Sequence, residues 1–327
     1  MSNLTARYNN ANNKNEHDGY VNVDLSVEIA GIKLKNPVMS ASGTFSFGEA
    51  YADFFAPDDL GAIVVKGVTI APRAGNPVPR LVETSAGLLN SIGLENPGVE
   101  AVLAECLPPL AAHDVPVIVN IAGNTLEEYG EVAAKLSVSP VVKGLEVNIS
   151  CPNVREGGMA FGSHPEMAAK VIRKVKENTA LPVIAKLSPN VTDIGEMAVA
   201  VEEAGADALS LINTLLGMVI DIQKREPVLG NIMGGLSGPA VKPVGVRMVW
   251  QVAEQVQIPI IGMGGIMCAA DALEYIMAGA TAVAVGTGQF VNPHCCVDIV
   301  KDLEEFCRKQ GVERISDLKG AARRDVK

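Results

Sequence analysis

Short apolar segments alternate with amphipathic ones along most of the chain. Apolar residues recur at helical spacing over six stretches, at residues 98–112, 125–136, 165–179, 194–204, 238–255 and 269–278. Eight short runs rich in β-branched residues accompany these stretches. Their composition predicts buried strands at residues 37–40, 62–66, 117–121, 144–148, 183–186, 208–212, 260–262 and 282–285.

The strand segments are apolar throughout, which predicts parallel strands that are covered on both faces. Eight β–α units of this kind predict a closed (β/α)8 TIM barrel of the α/β class. Before the first unit, residues 25–29 and 32–34 flank Ala30-Gly31 and predict a small N-terminal hairpin that plugs the bottom of the barrel. An open doubly wound sheet is the alternative fold, but no G-x-G-x-x-G motif opens the first unit.

Length and composition favour one folded domain. The 327 residues suit one barrel with insertions, so we assign residues 21–327 to the barrel domain. Residues 1–20 are polar and rich in asparagine, which predicts a flexible tail that is disordered or loosely attached. A remnant of an expression vector is the alternative interpretation of this tail.

Charge and cysteine content exclude several classes of function. The chain has 27 basic and 37 acidic residues and no basic cluster with aromatic residues, so neither nucleic acid nor an anionic membrane is an expected partner. No apolar run approaches the roughly 18 residues of a membrane span, and the N-terminus lacks an apolar signal region. We therefore expect a cytoplasmic protein with reduced thiols. Six cysteines without C-x-x-C spacing predict neither a disulfide framework nor a metal or iron–sulfur site.

In a (β/α)8 barrel the chemistry lies at the C-terminal ends of the strands. Each polar feature there has an ordinary structural explanation, because a lysine often reaches to water, an asparagine caps a turn and paired glycines tighten one. All the strand ends share one rim, however, and this convergence favours a functional site. The polar or glycine-rich ends are at residues 40–44, Lys66-Gly67, Asn120, Asn148, Lys186, Asn213-Thr214, 262–265 and 286–288.

The kinds of residue on this rim indicate the kind of ligand. Glycine-rich turns after the seventh and eighth strands predict a phosphate site, since backbone N–H groups and a following helix N-terminus favour an anion. Lys66 and Lys186 on the opposite side indicate an anionic substrate or an anionic reduced cofactor. The asparagines both donate and accept hydrogen bonds, which suits a flat heterocycle with imide edges.

Cys151 stands at the mouth of the fourth predicted strand, within Ser-Cys-Pro-Asn at residues 150–153. Pro152 biases Cys151 toward an extended conformation, and Gly157 and Gly158 allow the following loop to bend. This arrangement predicts a reactive thiol on a mobile loop. A buried structural cysteine is the alternative.

Two connections are far longer than the few residues usual between barrel elements. The first follows the second strand and contains residues 90–96, and the second follows the sixth strand and runs from 213 to 238. Both are expected to wall a pocket above the C-terminal face of the barrel.

Several motifs at these positions resemble those of one known family. Their order and their place at strand ends resemble the class 1 dihydroorotate dehydrogenases, and the form of the cysteine loop and of segment 213–240 resembles the NAD-linked class, 1B. The resemblance covers essentially everything after about residue 22. The motifs are N-I-S-C-P-N at 148–153 followed by E-G-G-x-x-F-G, N-S-I-G-L-E-N at 90–96, N-T-L-L-G-M at 213–218, G-G-L-S-G-P-A at 234–240 and G-M-G-G-I at 262–266.

The resemblance implies a flavoenzyme that oxidises (S)-dihydroorotate to orotate in de novo pyrimidine (UMP) biosynthesis. It implies one non-covalent FMN per chain as hydride acceptor, and Cys151 as the catalytic base. Carried over position by position, it implies FMN contacts from Ser42, Lys66, Gly67, Asn120, Asn148, Lys186, Ile212, Gly238, Gly264, Gly265, Gly286 and Thr287. It implies substrate contacts from Lys66, Asn90, Ser91, Ile92, Gly93, Leu94, Asn148, Asn213 and Thr214.

The resemblance also implies an electron-transfer partner. Electrons must leave a reduced flavin, yet the chain has no second nucleotide-binding motif and no cysteine spacing for an iron–sulfur cluster. The NAD-linked class implies a partner subunit with FAD and [2Fe–2S] that passes electrons to NAD+. It also implies a homodimer of this chain within a heterotetramer of two plus two subunits.

Other functions stay open at this point. A phosphate-binding barrel lyase or isomerase would form a Schiff base at Lys66 or Lys186 and would carry no flavin. A related flavoenzyme would act on a dihydropyrimidine or use fumarate. A non-catalytic scaffold subunit would leave the polar strand ends without a use.

Overall fold

The computed structural model describes residues 22–149 and 164–323, together with the backbone of residues 155–156 and 159–160. The predicted tail at residues 1–20 and the predicted base Cys151 lie outside the described residues.

A parallel sheet of eight strands forms the centre of the described chain. The strands are β1 (Val38–Ser40), β2 (Ile63–Val68), β3 (Val117–Ile121), β4 (Val142–Asn148), β5 (Val183–Lys186), β6 (Ala208–Leu211), β7 (Ile260–Met263) and β8 (Ala282–Val285). From β2 to β8 each strand pairs with the next, and β8 pairs with β1. A parallel bridge between Met39 and Ala62 joins β1 to β2, so the sheet closes and the predicted (β/α)8 barrel is confirmed.

Helices cover the outside of the barrel. Their apolar sides share one core cluster with the outward faces of the strands, in which Val132 and Val171 join Val119 and Leu145. Along the described chain they are α1 (Val99–Ala101), α2 (Leu126–Leu136), α3 (Pro165–Lys176), α4 (Ile194–Glu203), α5 (Lys242–Val252), α6 (Ala269–Ala278), α7 (Gly288–Val291) and α8 (Cys295–Gln310).

Most element boundaries agree with the sequence pattern. Three predicted strands, at 117–121, 183–186 and 282–285, have the observed bounds, and the other five differ by one or two residues at an end. Local capping explains where helices begin: the Thr125 side chain accepts from the N–H of Glu128 at the start of α2, at 3.2 Å.

The stretch 98–112 differs from the single helix predicted for it. After α1 the chain continues as a π-helix, Val102–Cys106, and then as a 3-10 helix, Pro108–Ala112. The two consecutive prolines at 108 and 109 have no backbone N–H to donate, so a regular α-helix cannot continue through them.

A small hairpin plugs the bottom of the barrel, as predicted. Its strands are Val27–Ile29 and Ile32–Leu34, paired antiparallel. Ile29 and Ile32 share an interior apolar cluster with Ile118 on β3 and Ile184 on β5. The barrel interior below the site is therefore filled with apolar side chains.

The two long connections fold together over the other end of the barrel. Gly87–Asn90, from the connection after β2, pairs with Gly234–Ser237, from the connection after β6. Leu81–Thr84 and Leu215–Gly217 extend this antiparallel sheet on either side. The predicted wall of long loops is therefore a sheet joined across both connections. A further hairpin pairs Ile220–Asp221 with Glu226–Pro227.

Neither a membrane-spanning helix nor a metal-binding group of side chains occurs in the part of the chain that the structure describes. No helix in residues 22–149 and 164–323 is long and apolar enough to cross a membrane. The same residues contain no group of three or more histidine, cysteine, aspartate or glutamate side chains that could hold a metal ion.

Candidate active site

A buried carboxylate joins three polar side chains from other strand ends inside the barrel. The Oε1 atom of Glu146 on β4 accepts from Asn120 Nδ2 at 2.8 Å, from Lys186 Nζ at 2.9 Å and from Ser42 Oγ at 3.3 Å. Lys186 Nζ also donates to Ser42 Oγ at 2.9 Å. We call these four residues, Ser42, Asn120, Glu146 and Lys186, the buried polar cluster.

Strand register brings the members of the buried polar cluster together. Asn120 on β3 lies opposite Glu146 on β4, and Lys186 on β5 lies opposite Asn148. Side chains alternate between the two faces of a strand, so Asn120 and Lys186 point inward like the apolar residues two positions earlier. The interior thus changes from an apolar layer to a polar layer toward the C-terminal ends of the strands.

The ion pair in this cluster is almost fully buried. Glu146 is 1% exposed and Lys186 is 5% exposed. Removing two charges from water is costly, and here the cost is offset by their mutual attraction and by the hydrogen bonds from Asn120 and Ser42. Loss of one partner would leave an uncompensated buried charge, a change that destabilises proteins by about 3–5 kcal/mol.

Lys66 and Gly67 occupy the C-terminal part of β2. Lys66 is half-buried and has no ion-pair partner among the residues that the structure describes. Gly67 lies against the buried polar cluster, because an ideal β-carbon there would come within 2.8 Å of Asn120 Oδ1 and 3.5 Å of Leu94 Cδ2. A β-carbon at position 67 would therefore displace the Asn120 side chain and would be in van der Waals contact with Leu94.

The glycine turns after β7 and β8 form a second part of the rim. Gly264 and Gly265 have φ values of +125° and +70°, which L side chains rarely adopt. An ideal β-carbon at Gly265 would lie 2.6 Å from the carbonyl oxygen of Gly238. Thr287 Oγ1 donates to Ser237 Oγ at 2.8 Å, which ties the turn after β8 to the same connection.

Tyr275 on α6 supports the first of these turns from below. Its hydroxyl donates to the carbonyl oxygen of Gly264 at 2.8 Å. Burial raises the pKa of Tyr275 well above its ordinary value, so the hydroxyl keeps its proton and remains a donor. The ring fills the space beside Gly262, where a β-carbon would come within 2.5 Å of Tyr275 Cδ1.

The sheet of the two long connections brings Asn90 and Thr214 to opposite sides of one glycine. Asn90 pairs with Gly235, and its Nδ2 atom donates to the carbonyl oxygen of Gly235 at 3.4 Å. An ideal β-carbon at Gly235 would lie 1.9 Å from Thr214 Oγ1. Two predicted substrate residues that are far apart in sequence are thereby brought together.

Residues 91–94 continue from this sheet and are held by backbone contacts. Ser91 N–H donates to the Arg80 carbonyl at 2.8 Å, and Asn76 N–H donates to the Ile92 carbonyl at 3.0 Å. The Ser91 hydroxyl is buried and has no hydrogen-bond partner among the described residues. A buried hydroxyl of this kind is a candidate contact for a ligand.

The remaining predicted residues, Asn148, Ile212 and Asn213, lie at the C-terminal ends of β4 and β6. The carbonyl of Asn148 accepts from the Tyr129 hydroxyl at 2.8 Å. The backbone N–H groups of Ile212 and Asn213 donate to Met263 and Leu187, each at 3.0 Å, which holds this turn between β7 and β5. The Asn213 Oδ1 atom accepts from the N–H of Thr214 at 2.8 Å.

Comparison with known proteins agrees with this geometry. Residues 24–307 match the family model described as dihydroorotate dehydrogenase. The chain belongs to the dihydroorotate dehydrogenase family.

Three relatives named "Dihydroorotate dehydrogenase B (NAD(+)), catalytic subunit" are similar to most of the chain. The protein of Desulforudis audaxviator is 60% identical over 302 residues, which cover 92% of this chain and 98% of the relative. The protein of Desulforamulus reducens is 59% identical over 300 residues, covering 92% and 99%. That of Geotalea uraniireducens is 58% identical over 298 residues, covering 91% and 98%.

In this member of the dihydroorotate dehydrogenase family, two groups of predicted residues meet at one end of the barrel. Lys186 donates directly to Ser42, and Asn120 is linked to both through Glu146. Gly264 and Gly265 lie at the turn after β7, and the Gly238 carbonyl lies against Gly265. Gly286 lies beside β1, since an ideal β-carbon there would be 3.7 Å from Ala41 Cβ and from Thr44 Cγ2. The predicted role of Cys151 stays a prediction, because that residue lies outside the described part of the chain.

Sequence reasoning missed Glu146 and Tyr275 in this dihydroorotate dehydrogenase family member. Glu146 had a detectable signal, since it is an acidic residue within the otherwise apolar run of β4. Tyr275 had no such sequence signal, because an aromatic residue on a predicted amphipathic helix is ordinarily part of the core.

Proposed function

We propose that the chain is the catalytic subunit of an NAD-linked dihydroorotate dehydrogenase, which oxidises (S)-dihydroorotate to orotate in pyrimidine biosynthesis. The observation that carries this proposal is the buried polar cluster at the barrel mouth, in a chain of this family. Asparagine, serine and lysine side chains converge there. Lys66 is adjacent in the chain to Gly67, which lies against Asn120, and it has no ion-pair partner among the described residues. The names of the similar proteins support the same reaction.

Two features of the chain support FMN as the resident cofactor. Gly265 approaches the Gly238 carbonyl so closely that no side chain fits. Glycine turns of this kind allow backbone N–H groups to approach a phosphate closely. The buried polar cluster supplies fixed donors and one buried ammonium, which suits the polar edge of a flavin ring. The residues that would hold FMN are Ser42, Lys66, Gly67, Asn120, Asn148, Lys186, Ile212, Gly238, Gly264, Gly265, Gly286 and Thr287.

FMN, when bound, supplies the acceptor for the hydride that leaves ring carbon 6 of dihydroorotate. Lys186 would place its positive charge where the ring gains negative charge. Ser42 and Asn120 would keep the Lys186 side chain and the ring in register, because each hydrogen-bonds within the buried polar cluster.

The substrate would lie between the buried polar cluster and the sheet of the long connections. The Lys66 ammonium offers a counter-charge for the substrate carboxylate, and the Ser91 hydroxyl has an unused hydrogen-bonding capacity among the described residues. Asparagine side chains both donate and accept, as the imide edge of the substrate requires. The proposed substrate residues are Lys66, Asn90, Ser91, Ile92, Gly93, Leu94, Asn148, Asn213 and Thr214.

Cys151 is proposed as the base that removes the proton from ring carbon 5. It follows β4 by three residues, and β4 carries Glu146 and Asn148 into the site. Burial raises the pKa of every cysteine that the structure describes, so these thiols stay protonated near neutral pH and are poor bases: Cys106, Cys268, Cys295, Cys296 and Cys307. An unperturbed thiol, with a pKa of about 8.5, is a usable base under mildly alkaline conditions.

We further propose that a second subunit with FAD and [2Fe–2S] carries the electrons to NAD+, and that this chain forms a homodimer within a two-plus-two heterotetramer. The relatives are named as the catalytic subunit of an NAD(+) enzyme, which supports a separate electron-transfer subunit.

A steady-state assay of the purified chain tests the proposed function. With dihydroorotate, the isolated chain should reduce an artificial dye but not NAD+. Dihydrouracil should give no comparable rate, and fumarate should not replace the dye as acceptor. A colourless preparation without dye reduction would instead favour the Schiff-base lyase. Full NAD+ turnover by the single chain would contradict the requirement for a partner.

A further inference from the structure

We propose that Glu146 is a positioning residue of this site: its carboxylate orients the Asn120 amide and the Lys186 ammonium, and its charge lowers the reduction potential of the bound flavin. This inference rests on the proposed function. Glu146 is not among the proposed FMN and substrate contacts. Its hydrogen bonds and its burial within the buried polar cluster support this role.

Glu146 fixes the orientation of the Asn120 amide. Its Nδ2 atom donates to Glu146 Oε1 at 2.8 Å, so its Oδ1 atom is on the other side, 2.8 Å from the position of an ideal β-carbon at Gly67. A carboxylate only accepts hydrogen bonds, so it binds the NH2 side of the amide and never the oxygen side. Glu146 thereby presents the Asn120 oxygen, as an acceptor, toward Gly67 and Leu94.

Glu146 also fixes the position of the Lys186 ammonium. Its Nζ atom donates to Glu146 Oε1 and to Ser42 Oγ, each at 2.9 Å. Two fixed acceptors restrict a long side chain that has three donors and many rotamers. Glu146 therefore holds the ammonium at one place in the polar layer above Ile184 and Ile118.

Glu146 also balances the positive charge of Lys186. Lys186 attracts negative charge on a reduced flavin, but Glu146 lies beside it and is buried too, so the ion pair is neutral overall. Charges interact more strongly in the protein interior than in water. With the Glu146 charge removed, the ammonium would be uncompensated and would favour the anionic reduced flavin more strongly.

The decisive experiment is a measurement of flavin reduction potential on the FMN-loaded chain. In Glu146→Gln the side chain keeps its shape and an acceptor oxygen but loses its charge. We expect the equilibrium constant for reduction to rise at least tenfold, which for a two-electron couple is about 30 mV. Glu177→Gln is the control, because Glu177 is an exposed glutamate at the C-terminal end of α3. The flavin bound to this variant should have the same reduction potential as the flavin of the parent chain.

A purely structural role for Glu146 would give a different pattern. Flavin affinity and thermal stability would fall in Glu146→Gln, while the potential of the remaining bound flavin would stay at the parent value or fall. That result would overturn the proposal. Flavin content of the parent chain, measured first, separates this failure from failure of the proposed function: a parent chain that binds no FMN refutes the function itself.

A second comparison covers the case in which Glu146→Gln does not fold. The double variant Glu146→Gln/Lys186→Gln leaves no unpaired charge in the cluster, and replacing both members of a buried ion pair is commonly tolerated. The flavin bound to the double variant should have a higher reduction potential than the flavin bound to Lys186→Gln, because Lys186→Gln retains the negative charge of Glu146. An equal or lower potential in the double variant would also overturn the proposal.

Discussion

The hydroxyl of Thr214 fills the space that a side chain at Gly235 would need: an ideal β-carbon at position 235 would lie 1.9 Å from Thr214 Oγ1. The Gly235 carbonyl also accepts from Asn90 Nδ2 at 3.4 Å. One glycine thus sets the spacing between the two long connections and between two proposed substrate residues.

We expect Gly235→Ala to lower kcat/KM for dihydroorotate by about 10- to 100-fold, since displacement of binding groups by about 1 Å has effects of that size. The methyl group must push Thr214 away, and the pairing with Asn90 must shift with it. FMN content should change much less than kcat/KM, because the glycine turns after β7 and β8 contact Ser237 and Gly238 and not Gly235 itself. Parent kinetics in this variant would show that Thr214 and Asn90 do not position the substrate.

Gly265→Ala should weaken FMN binding at least tenfold, as measured by fluorescence titration of the apoprotein. The new β-carbon would lie 2.6 Å from the Gly238 carbonyl oxygen, and the φ of +70° adds strain of about 1–2 kcal/mol. Gly311→Ala is a matched control, since Gly311 has a φ of +67° but no atom within 4 Å of the added carbon. It should cost stability without changing FMN affinity. Equal FMN affinity in both variants would exclude the turn at Gly265 from the phosphate site.

Tyr275→Phe should raise the dissociation constant of FMN by roughly 2- to 10-fold, which corresponds to the loss of a hydrogen bond worth about 0.5–1.5 kcal/mol. The ring stays in place beside Gly262, so only the contacts of the hydroxyl are removed. The shortest is with the Gly264 carbonyl at 2.8 Å, and longer ones reach the carbonyls of Met263 at 3.2 Å and Lys242 at 3.5 Å. Because burial raises the pKa of Tyr275, the difference between the variant and the parent should be constant from pH 6 to pH 9. A difference that disappears within this range would contradict the role of a neutral donor.

The apolar pattern predicted the barrel well because strands and helices of a (β/α)8 fold are local units. Each strand is a short β-branched run, and capping residues such as Thr125 mark helix starts. Strand order then places the polar ends on one rim, so Ser42, Asn120 and Lys186 could be grouped before their contacts were known. Their fourth partner, Glu146, lay unnoticed within an apolar run.

The pattern of apolar and polar positions does not predict contacts between loops that are distant in sequence. Asn90 and Gly235 are 145 positions apart, and no local signal specifies that they pair. The π-helix at Val102–Cys106 was missed for a different reason, because helical spacing of apolar residues does not distinguish α from π hydrogen bonding. Tyr275 was missed because its hydrogen bond to Gly264 depends on how α6 packs against the turn after β7.

Cys151→Ala should slow the reduction of bound FMN by dihydroorotate by at least about 100-fold, the usual range for loss of a general base. Cys151→Ser should recover rate mainly at high pH, because a hydroxyl is a much weaker acid than a thiol. Cys106→Ala is the control, since burial raises the pKa of Cys106 and its thiol has no proposed role. Rapid-mixing absorbance traces across pH would decide, and a parent rate in Cys151→Ala would return Cys151 to a structural role.

The central claim is that this chain binds a flavin and reduces it with dihydroorotate. Its most direct test is an anaerobic titration of the purified chain, followed by visible absorbance. The account predicts a yellow protein with one FMN per chain, whose flavin band bleaches on addition of dihydroorotate while orotate forms in equal amount. A flavin-free chain, or a flavin band that dihydroorotate leaves unchanged, would contradict it.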